Sequence, residues 1–120
     1  MARTFTVAML VMALSTCSAS AQTDAISGNA YIGPCKNYVD RVYPDQLQVF
    51  LQGGCAGAVA AHISLGRGLR PDLRFCPPQG VNVYQGVRVA VAYMEANPDK
   101  LHLEFQQLVQ AAFRKAWPCQ

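Results

Sequence analysis

The chain has 120 residues and a formal net charge of +3, and 14% of its residues are charged. Basic residues this few and this scattered do not form the concentrated positive face that a nucleic-acid-binding protein needs. The length suits a single domain.

Residues 1–21 have the features of a cleavable signal peptide. The short basic segment MARTF precedes an apolar run over residues 7–14 that is too short to span a bilayer, and Ala19-Ser20-Ala21 supplies the small residues of a cleavage site. We therefore expect export to the periplasm and cleavage after Ala21. The alternative is a lipidated N terminus at Cys17, but Thr16 stands where Gly or Ala is usual. We expect no further membrane-spanning run, so the exported protein should be soluble.

Four cysteines remain after cleavage, and their number indicates two disulfides. They are Cys35, Cys55, Cys76 and Cys119. An even number of cysteines in a small exported domain is typical of a disulfide framework. A chain of about 100 residues buries only about 60–65% of the surface that it exposes when unfolded, so covalent links would add stability that the core alone supplies poorly.

Residues 22–33 are polar and contain glycine, and we expect a flexible N-terminal arm there. Residues 34–119 then form a single helical domain. Its first helix opens at Gly33-Pro34 and ends at Tyr43-Pro44, with apolar residues at helical spacing, namely Cys35, Tyr38, Val39 and Val42.

The second helix begins after Asp45 and has an unusual composition. Its larger apolar residues and its cysteine are Leu47, Phe50, Leu51, Cys55, Val59 and Ile63, whereas glycine and alanine fill its middle. Each glycine costs a helix up to about 1 kcal/mol relative to alanine, and a helix tolerates this where another backbone comes close. We therefore predict that this is the central helix of the bundle. A glycine-rich phosphate loop is disfavoured, because no lysine follows the glycines and no strand precedes them.

A loop follows, from Gly66 to Pro78. Its glycines and prolines oppose a helix, and a connection of this length in a compact domain commonly has a function. Three arginines make it basic, Arg67, Arg70 and Arg74. We take them as candidate partner-binding residues, and a solvated loop tip without a partner is the alternative.

Two more helices complete the domain. Asn82 and Gln85 have the spacing of a capping box, and the third helix ends before Asn97-Pro98. Asn97 as the cap and Pro98 at the first position predict the start of the fourth helix. Its apolar positions have the clearest period in the chain, at Leu101, Phe105, Leu108, Val109, Ala112, Phe113 and Ala116. No segment alternates as a strand does, so we expect an all-α fold, a small disulfide-tied bundle of about four helices.

Four cysteines allow three pairings, and the order of the helices favours one of them. The last two helices lead away from Cys76 and back again, which places Cys76 and Cys119 at the same end of an up-down bundle. We therefore predict the disulfides Cys76–Cys119 and Cys35–Cys55.

The sequence offers no catalytic or metal-binding set. His62 and His102 are the only histidines, and paired cysteines leave no thiolate for a Cys-His mechanism. The cysteines are also too widely spaced for a zinc site. We expect a protein that is not an enzyme and needs no metal or cofactor.

Several short motifs in a fixed order carry a resemblance to a known family. They are Cys55-Ala56-Gly57, Phe75-Cys76-Pro77-Pro78, Gln85, Tyr93-Met94, Asn97-Pro98 and Ala116-Trp117-Pro118-Cys119. In these motifs the chain resembles the Rap/Tai family of periplasmic immunity proteins, which neutralise peptidoglycan amidases delivered by type VI secretion. The resemblance extends from Gly28 to Cys119. It implies a helical amidase inhibitor that occludes the cleft of a Cys-His amidase with a loop, and it implies a homodimer.

Two other classes remain open. Small disulfide-tied helical proteins of the periplasm include acid-stress and holdase chaperones, but these usually carry many more titratable side chains than the 14% charged residues and two histidines here. A small structural or ligand-binding periplasmic protein is the other class. An adjacent gene for an exported or secreted amidase would favour the immunity function over both.

Overall fold

A computed structural model describes residues 25–120 of the chain, and these form four helices around one core. The helices are α1 (Gly28–Asp40), α2 (Gln46–Leu65), α3 (Val83–Ala96) and α4 (Phe105–Ala116), with short 3₁₀ helices at Gly66–Gly68 and Pro98–Lys100. Within residues 25–120, β-type pairing is limited to an isolated bridge between Ser27 and Glu104. The predicted all-α bundle of four helices is confirmed. The predicted signal peptide, its cleavage site and Cys17 lie outside the described residues.

α1 begins earlier than predicted, at Gly28. The Ser27 hydroxyl accepts a hydrogen bond from the Ala30 N–H at 3.4 Å and caps the helix. Residues 28–33 are therefore the first turns of a helix, and the predicted flexible arm over residues 22–33 is wrong from Gly28 onward.

Packing against α4 explains this early start. The Tyr31 ring stacks on the Phe105 ring, with the centroids 4.6 Å apart and 9° between the planes. Pro34 lies inside α1 and is buried. A proline within a helix removes one backbone hydrogen bond, and the stacking and burial of these first turns outweigh that loss.

α2 begins where predicted, because the Asp45 carboxylate accepts the Gln48 N–H at 2.8 Å. The helix is nevertheless not central, since its buried residues are only Gln52, Cys55 and Val59. A Cβ added at Gly53 or Gly57 would meet no atom within 4 Å, so no neighbouring backbone accounts for these glycines. The prediction of a central helix is wrong, and α3 and α4 supply most of the core.

α2 and the 3₁₀ turn after it also qualify as a membrane span by length and composition alone. The segment Gln46–Gly68 has a mean hydropathy of 1.3, and 22% of its most apolar window is buried in the bundle. Our expectation that no run of this kind follows the signal peptide is therefore wrong. The inner face of α2 packs against α1, to which the buried disulfide Cys35–Cys55 joins it.

α3 starts as predicted, because the Asn82 side chain accepts the Gln85 N–H at 2.9 Å. α4 starts later than predicted, at Phe105 rather than directly after Asn97. The Asn97 side chain does not cap a following α-helix, since its amide donates to the Tyr93 carbonyl at 2.8 Å. The residues after it form only a 3₁₀ turn.

The backbone before α4 pairs with the start of α1 instead of continuing a helix. The Gly28 N–H donates to the Leu103 carbonyl at 2.9 Å, and the Phe105 N–H donates to the Ile26 carbonyl at 2.8 Å. These bonds take up groups that a longer α4 would need for its own helical hydrogen bonds. The late start of α4 and the early start of α1 therefore have the same cause.

Aromatic side chains of α4 and of the loop before α3 lie at the centre of the core. Phe113 is fully buried, with its ring centroid 5.3 Å from that of Phe75 and 4.8 Å from that of Trp117. The disulfide Cys35–Cys55 is also fully buried, and the second disulfide joins Cys76 to Cys119. The structure thus has the two disulfides expected from the order of the helices.

Replacing Gly86 in α3 by Ala should destabilise the protein. The added Cβ would lie 2.7 Å from Val59 Cγ1 and 2.9 Å from Ile63 Cδ1, and a β-branched valine cannot easily turn away. Overpacking costs roughly 1–3 kcal/mol, which exceeds the gain of up to about 1 kcal/mol from the better helix former. Gly53→Ala is the matched control, because its open surroundings predict stabilisation.

Urea unfolding followed by circular dichroism measures both variants. A Gly86→Ala protein that is as stable as Gly53→Ala would show that α2 and α3 are not packed this closely.

Candidate functional site

The candidate site is the basic loop, which we define as residues 66–82 between α2 and α3. Phe75 lies where the loop meets the core, and it is fully buried. The Phe75 N–H donates to the Gly66 carbonyl at 3.3 Å, and a Cβ at Gly66 would lie 2.3 Å from the Phe75 ring. Gly66 is therefore required where the loop leaves α2, because only glycine lets the ring sit against the backbone.

The far end of the basic loop is attached to the C terminus. The disulfide Cys76–Cys119 brings the two Cα atoms within 4.9 Å, and the Cys76 N–H donates to the Trp117 carbonyl at 2.8 Å. The Gln110 side chain on α4 donates to the Leu73 carbonyl at 3.2 Å. The loop is thus held on both sides, which limits the entropy that it would lose on docking to a partner.

Arg67 forms a hydrogen bond within the basic loop. Its guanidinium donates to the Pro77 carbonyl at 2.6 Å and so links the two sides of the loop. Sequence reasoning grouped Arg67 with Arg70 and Arg74 as partner-binding residues. The structure gives Arg67 this contact within the loop, and its role in partner binding stays a prediction.

Arg70 and Arg74 face solvent. Arg70 forms an ion pair with Asp72 at 2.8 Å, in which the two side chains are 74% and 61% exposed. An ion pair this exposed contributes little to stability, so Arg70 can exchange Asp72 for another carboxylate at small cost. Arg74 forms no ion pair within residues 25–120.

Arg74 and Arg114 line the same polar cleft, which has a volume of about 450 Å³. Pro71, Pro118, Cys119 and Gln120 form the rest of its wall. Arg114 was not among the candidate residues taken from the sequence. The signal that could have found it is the disulfide pairing, since joining Cys76 to Cys119 places the end of α4 beside the loop. Two guanidiniums in one cleft suit a carboxylate, which each can bind with two parallel hydrogen bonds.

The two histidines lie outside this cleft. His62 Nδ1 lies 2.8 Å from the Ala58 carbonyl oxygen, and the ring meets Phe113 edge to face at 6.5 Å. His102 is exposed at the protein surface. In the part of the chain that the structure describes, no three His, Cys, Asp or Glu residues are grouped so that they could hold a metal ion.

A separate groove of about 330 Å³ lies between α1 and α3 and has charged walls. Lys36 Nζ donates to Glu95 Oε1 at 2.5 Å, and this hydrogen bond and the charge of Glu95 raise the pKa of Lys36. The stabilisation linked to a raised lysine pKa is fully present below the ordinary value of 10.5 and is lost only as the pH rises through the folded pKa. Lys36 therefore gives no switch near neutral pH of the kind that an acid-stress chaperone would use.

Comparison with known proteins identifies the family. A family model described as Rap1a immunity proteins matches residues 14–119, which include all four helices, the basic loop and both disulfides. Comparisons with the curated proteins and with the solved structures return no match. The match covers well over half of the chain and confirms the resemblance inferred from the motifs. The chain belongs to the Rap1a immunity protein family.

Proposed function

We propose that this protein is a periplasmic immunity protein that binds and occludes a peptidoglycan amidase delivered by type VI secretion. Membership of an immunity protein family is the observation that carries the proposal. Two further features support the periplasm. The two disulfides suit an oxidising compartment, and residues 1–21 have the sequence features of a cleavable signal peptide.

The basic loop is the element that enters the amidase cleft. Phe75 and the disulfide at Cys76 hold it in shape before the partner arrives, so little conformational entropy is lost on binding. Arg70 and Arg74 of the loop and Arg114 of α4 then bind carboxylates at the rim of the cleft. The protein blocks access of peptidoglycan and carries out no reaction itself.

We also propose that the protein acts as a homodimer, with one basic loop in each copy. Five of the large apolar side chains that stay exposed cluster between Val42 and Phe50, at the corner of α1 and α2. This corner lies at the N terminus of α2, whereas the basic loop leaves its C terminus, about 30 Å away along a helix of 20 residues. A dimer formed there leaves both loops free to bind one amidase each.

A protection assay in cells tests the function. A hydrolase that is found to be encoded next to this chain is directed to the periplasm, and the chain is co-expressed with or without residues 1–21. We expect the full chain to restore growth and the shortened chain to fail, and the mass of the periplasmic product to correspond to cleavage after Ala21. Lysis in the presence of the exported full chain would contradict the immunity function. A product that starts at a lipidated Cys17 would contradict the cleavage site.

Replacing Arg70, Arg74 and Arg114 together by Ala should raise the Kd for the amidase at least about tenfold, because charge-assisted hydrogen bonds to carboxylates are lost. Stability should change by less than about 0.5 kcal/mol, since all three side chains are on the surface. Isothermal titration calorimetry gives the Kd, and circular dichroism checks the fold. Arg88→Ala on α3 is the matched control, an exposed arginine outside the loop. Equal Kd values for the triple variant and the wild type would remove this cleft from the interface.

A further inference from the structure

The groove between α1 and α3 carries charges of both signs beside apolar side chains. We call it the α1–α3 groove, and its volume is about 330 Å³. Two charged residues of each helix and three apolar residues line it, namely Lys36, Asp40, Arg88, Glu95, Val39, Val91 and Ala92. This lining includes no residue of the basic loop and none of the apolar corner between Val42 and Phe50. A ligand bound in the α1–α3 groove therefore leaves the loop and the corner free.

The four charges of the groove form one ion pair and leave two side chains without a partner. Lys36 Nζ donates to Glu95 Oε1 at 2.5 Å. Asp40 and Arg88 have neither an ion pair nor a side-chain hydrogen bond to any residue in the range 25–120. An anion and a cation thus line the same groove without binding each other.

These two side chains lie at the same end of the groove. The ion pair of Lys36 and Glu95 lies near the end of α3. The Tyr84 hydroxyl, near the start of α3, donates to a backbone carbonyl close to the C terminus of α1, so the two helices are antiparallel. At 1.5 Å per residue, Asp40 lies about 6 Å beyond Lys36 along the groove, and Arg88 lies about 10 Å beyond Glu95 in the same direction. Asp40 and Arg88 therefore stand on opposite walls, offset by about 4 Å along the helix axes.

Helix stability accounts for neither charge. Asp40 is the last residue of α1, and the C-terminal end of a helix carries a partial negative charge that disfavours a carboxylate. Arg88 lies in the first half of α3, too far from the C terminus to gain from the negative end of that helix. An ammonium group bound at Asp40, by contrast, would be attracted both by the carboxylate and by the negative end of α1.

We propose that the α1–α3 groove binds a zwitterionic α-amino acid group, with its ammonium at Asp40 and its carboxylate at Arg88. The ammonium donates to the Asp40 carboxylate, and the Arg88 guanidinium binds the ligand carboxylate with two parallel hydrogen bonds. The side chain of the ligand lies on Val39 and Val91. Two sources carry this group, a free amino acid and the zwitterionic end of a diaminopimelate residue in a peptidoglycan peptide.

The charges and the size of the groove select this class of ligand. A plain anion would meet the carboxylates of Asp40 and Glu95, and a plain cation would meet Arg88 and Lys36, so like charges oppose either one. A ligand that carries both charges complements both unpaired side chains. The volume of about 330 Å³ lies at the lower end of the ~300–1,000 Å³ range of small-molecule sites, which suits an amino acid.

An NMR titration of ¹⁵N-labelled residues 22–120 tests the inference. We expect L-leucine to shift the amide signals of α1 and α3 around the groove with a Kd of about 0.1–10 mM, because so small a ligand makes few contacts. N-acetyl-L-leucine lacks the ammonium and L-leucinamide lacks the carboxylate. Each should bind at least about tenfold more weakly than L-leucine. meso-Diaminopimelate is titrated alongside, and the tighter of the two amino acids identifies the source of the ligand.

Asp40→Asn and Arg88→Gln each remove one charge and keep most of the side chain. Each should raise the Kd for L-leucine at least about tenfold, because a charge-assisted hydrogen bond is lost. Asp99→Asn and Arg114→Gln are the matched controls, since both residues are exposed and neither lines the groove. The urea midpoint of Asp40→Asn should not fall below that of the wild type, because a carboxylate at this end of α1 does not stabilise the helix.

The outcomes are independent of amidase inhibition, because Arg88→Gln leaves the basic loop unchanged and should inhibit as the wild type does. Amino acid binding that is lost in both groove variants and kept in both controls supports the inference. Three results would overturn it. They are no shift with either amino acid up to about 50 mM, equal shifts in the wild type and the groove variants, and N-acetyl-L-leucine that binds as tightly as L-leucine.

Discussion

Replacing Cys76 and Cys119 together by Ala is expected to lower the free energy of unfolding by about 4 kcal/mol. The disulfide joins residues 43 positions apart. Opening a loop of this length raises the entropy of the unfolded chain, and at 25 °C that gain stabilises the unfolded state by about 4 kcal/mol. Small domains are stable by only about 5–15 kcal/mol in total. The double variant should therefore unfold at a much lower urea concentration than the wild type.

The matched comparison is the double variant Cys35→Ala and Cys55→Ala. These cysteines are 20 positions apart, so the entropic loss is smaller, about 3 kcal/mol, but both are fully buried and their removal also leaves space in the core. Mild reduction should also distinguish the two disulfides. The Cys76–Cys119 bond should be reduced first, because its cysteines are partly exposed and Cys35 and Cys55 are buried. A Cys76–Cys119 variant as stable as the wild type would contradict a loop held to the C terminus by this bond.

Replacing Phe113 by Ala is expected to cost about 3–5 kcal/mol, the range for truncating a buried phenylalanine. Phe113 is fully buried, and its ring lies 5.3 Å from that of Phe75 and 4.8 Å from that of Trp117. The substitution therefore opens a cavity where α4 meets the base of the basic loop. We expect loss of inhibition to accompany the loss of stability, since Phe75 would lose a neighbour that fixes the loop.

Phe50→Ala is the control for this prediction, because it removes the same side chain from a site that is 75% exposed. Its cost should stay within about 0.5 kcal/mol, because the ring is largely in contact with water already. Urea unfolding followed by circular dichroism measures both variants. Similar losses at the two positions would show that Phe113 is not part of a packed core.

The helices whose ends depend on neighbouring residues were predictable from the sequence. α3 and α2 begin where expected. Asn82 and Asp45 cap them, and a side chain that bonds the N–H three residues ahead acts within a single turn. The starts of α1 and α4 were missed. They depend on hydrogen bonds between residues 26–29 and 101–105, and no local pattern records a pairing over that distance.

The candidate site was predictable in its location but less so in its parts. The composition of the loop singled out Arg67, Arg70 and Arg74, yet only the folded loop shows that Arg67 bonds the Pro77 carbonyl and that Arg74 shares its cleft with Arg114. The glycines of α2 were expected to lie against a neighbouring backbone, but Gly53 and Gly57 face open space. A run of small residues has the same composition whether it is covered or open, so only the folded structure could show this.

The proposed inhibition is tested most directly by titrating a purified peptidoglycan amidase that is found to be encoded beside this chain. The mature protein, residues 22–120, is added in increasing amounts, and release of peptide from purified peptidoglycan is followed. We predict that activity falls in proportion to the inhibitor added and is abolished when each amidase molecule has one copy of the chain. More of the triple arginine variant should be needed for the same effect. Full activity in the presence of excess wild-type protein would contradict the proposed inhibition.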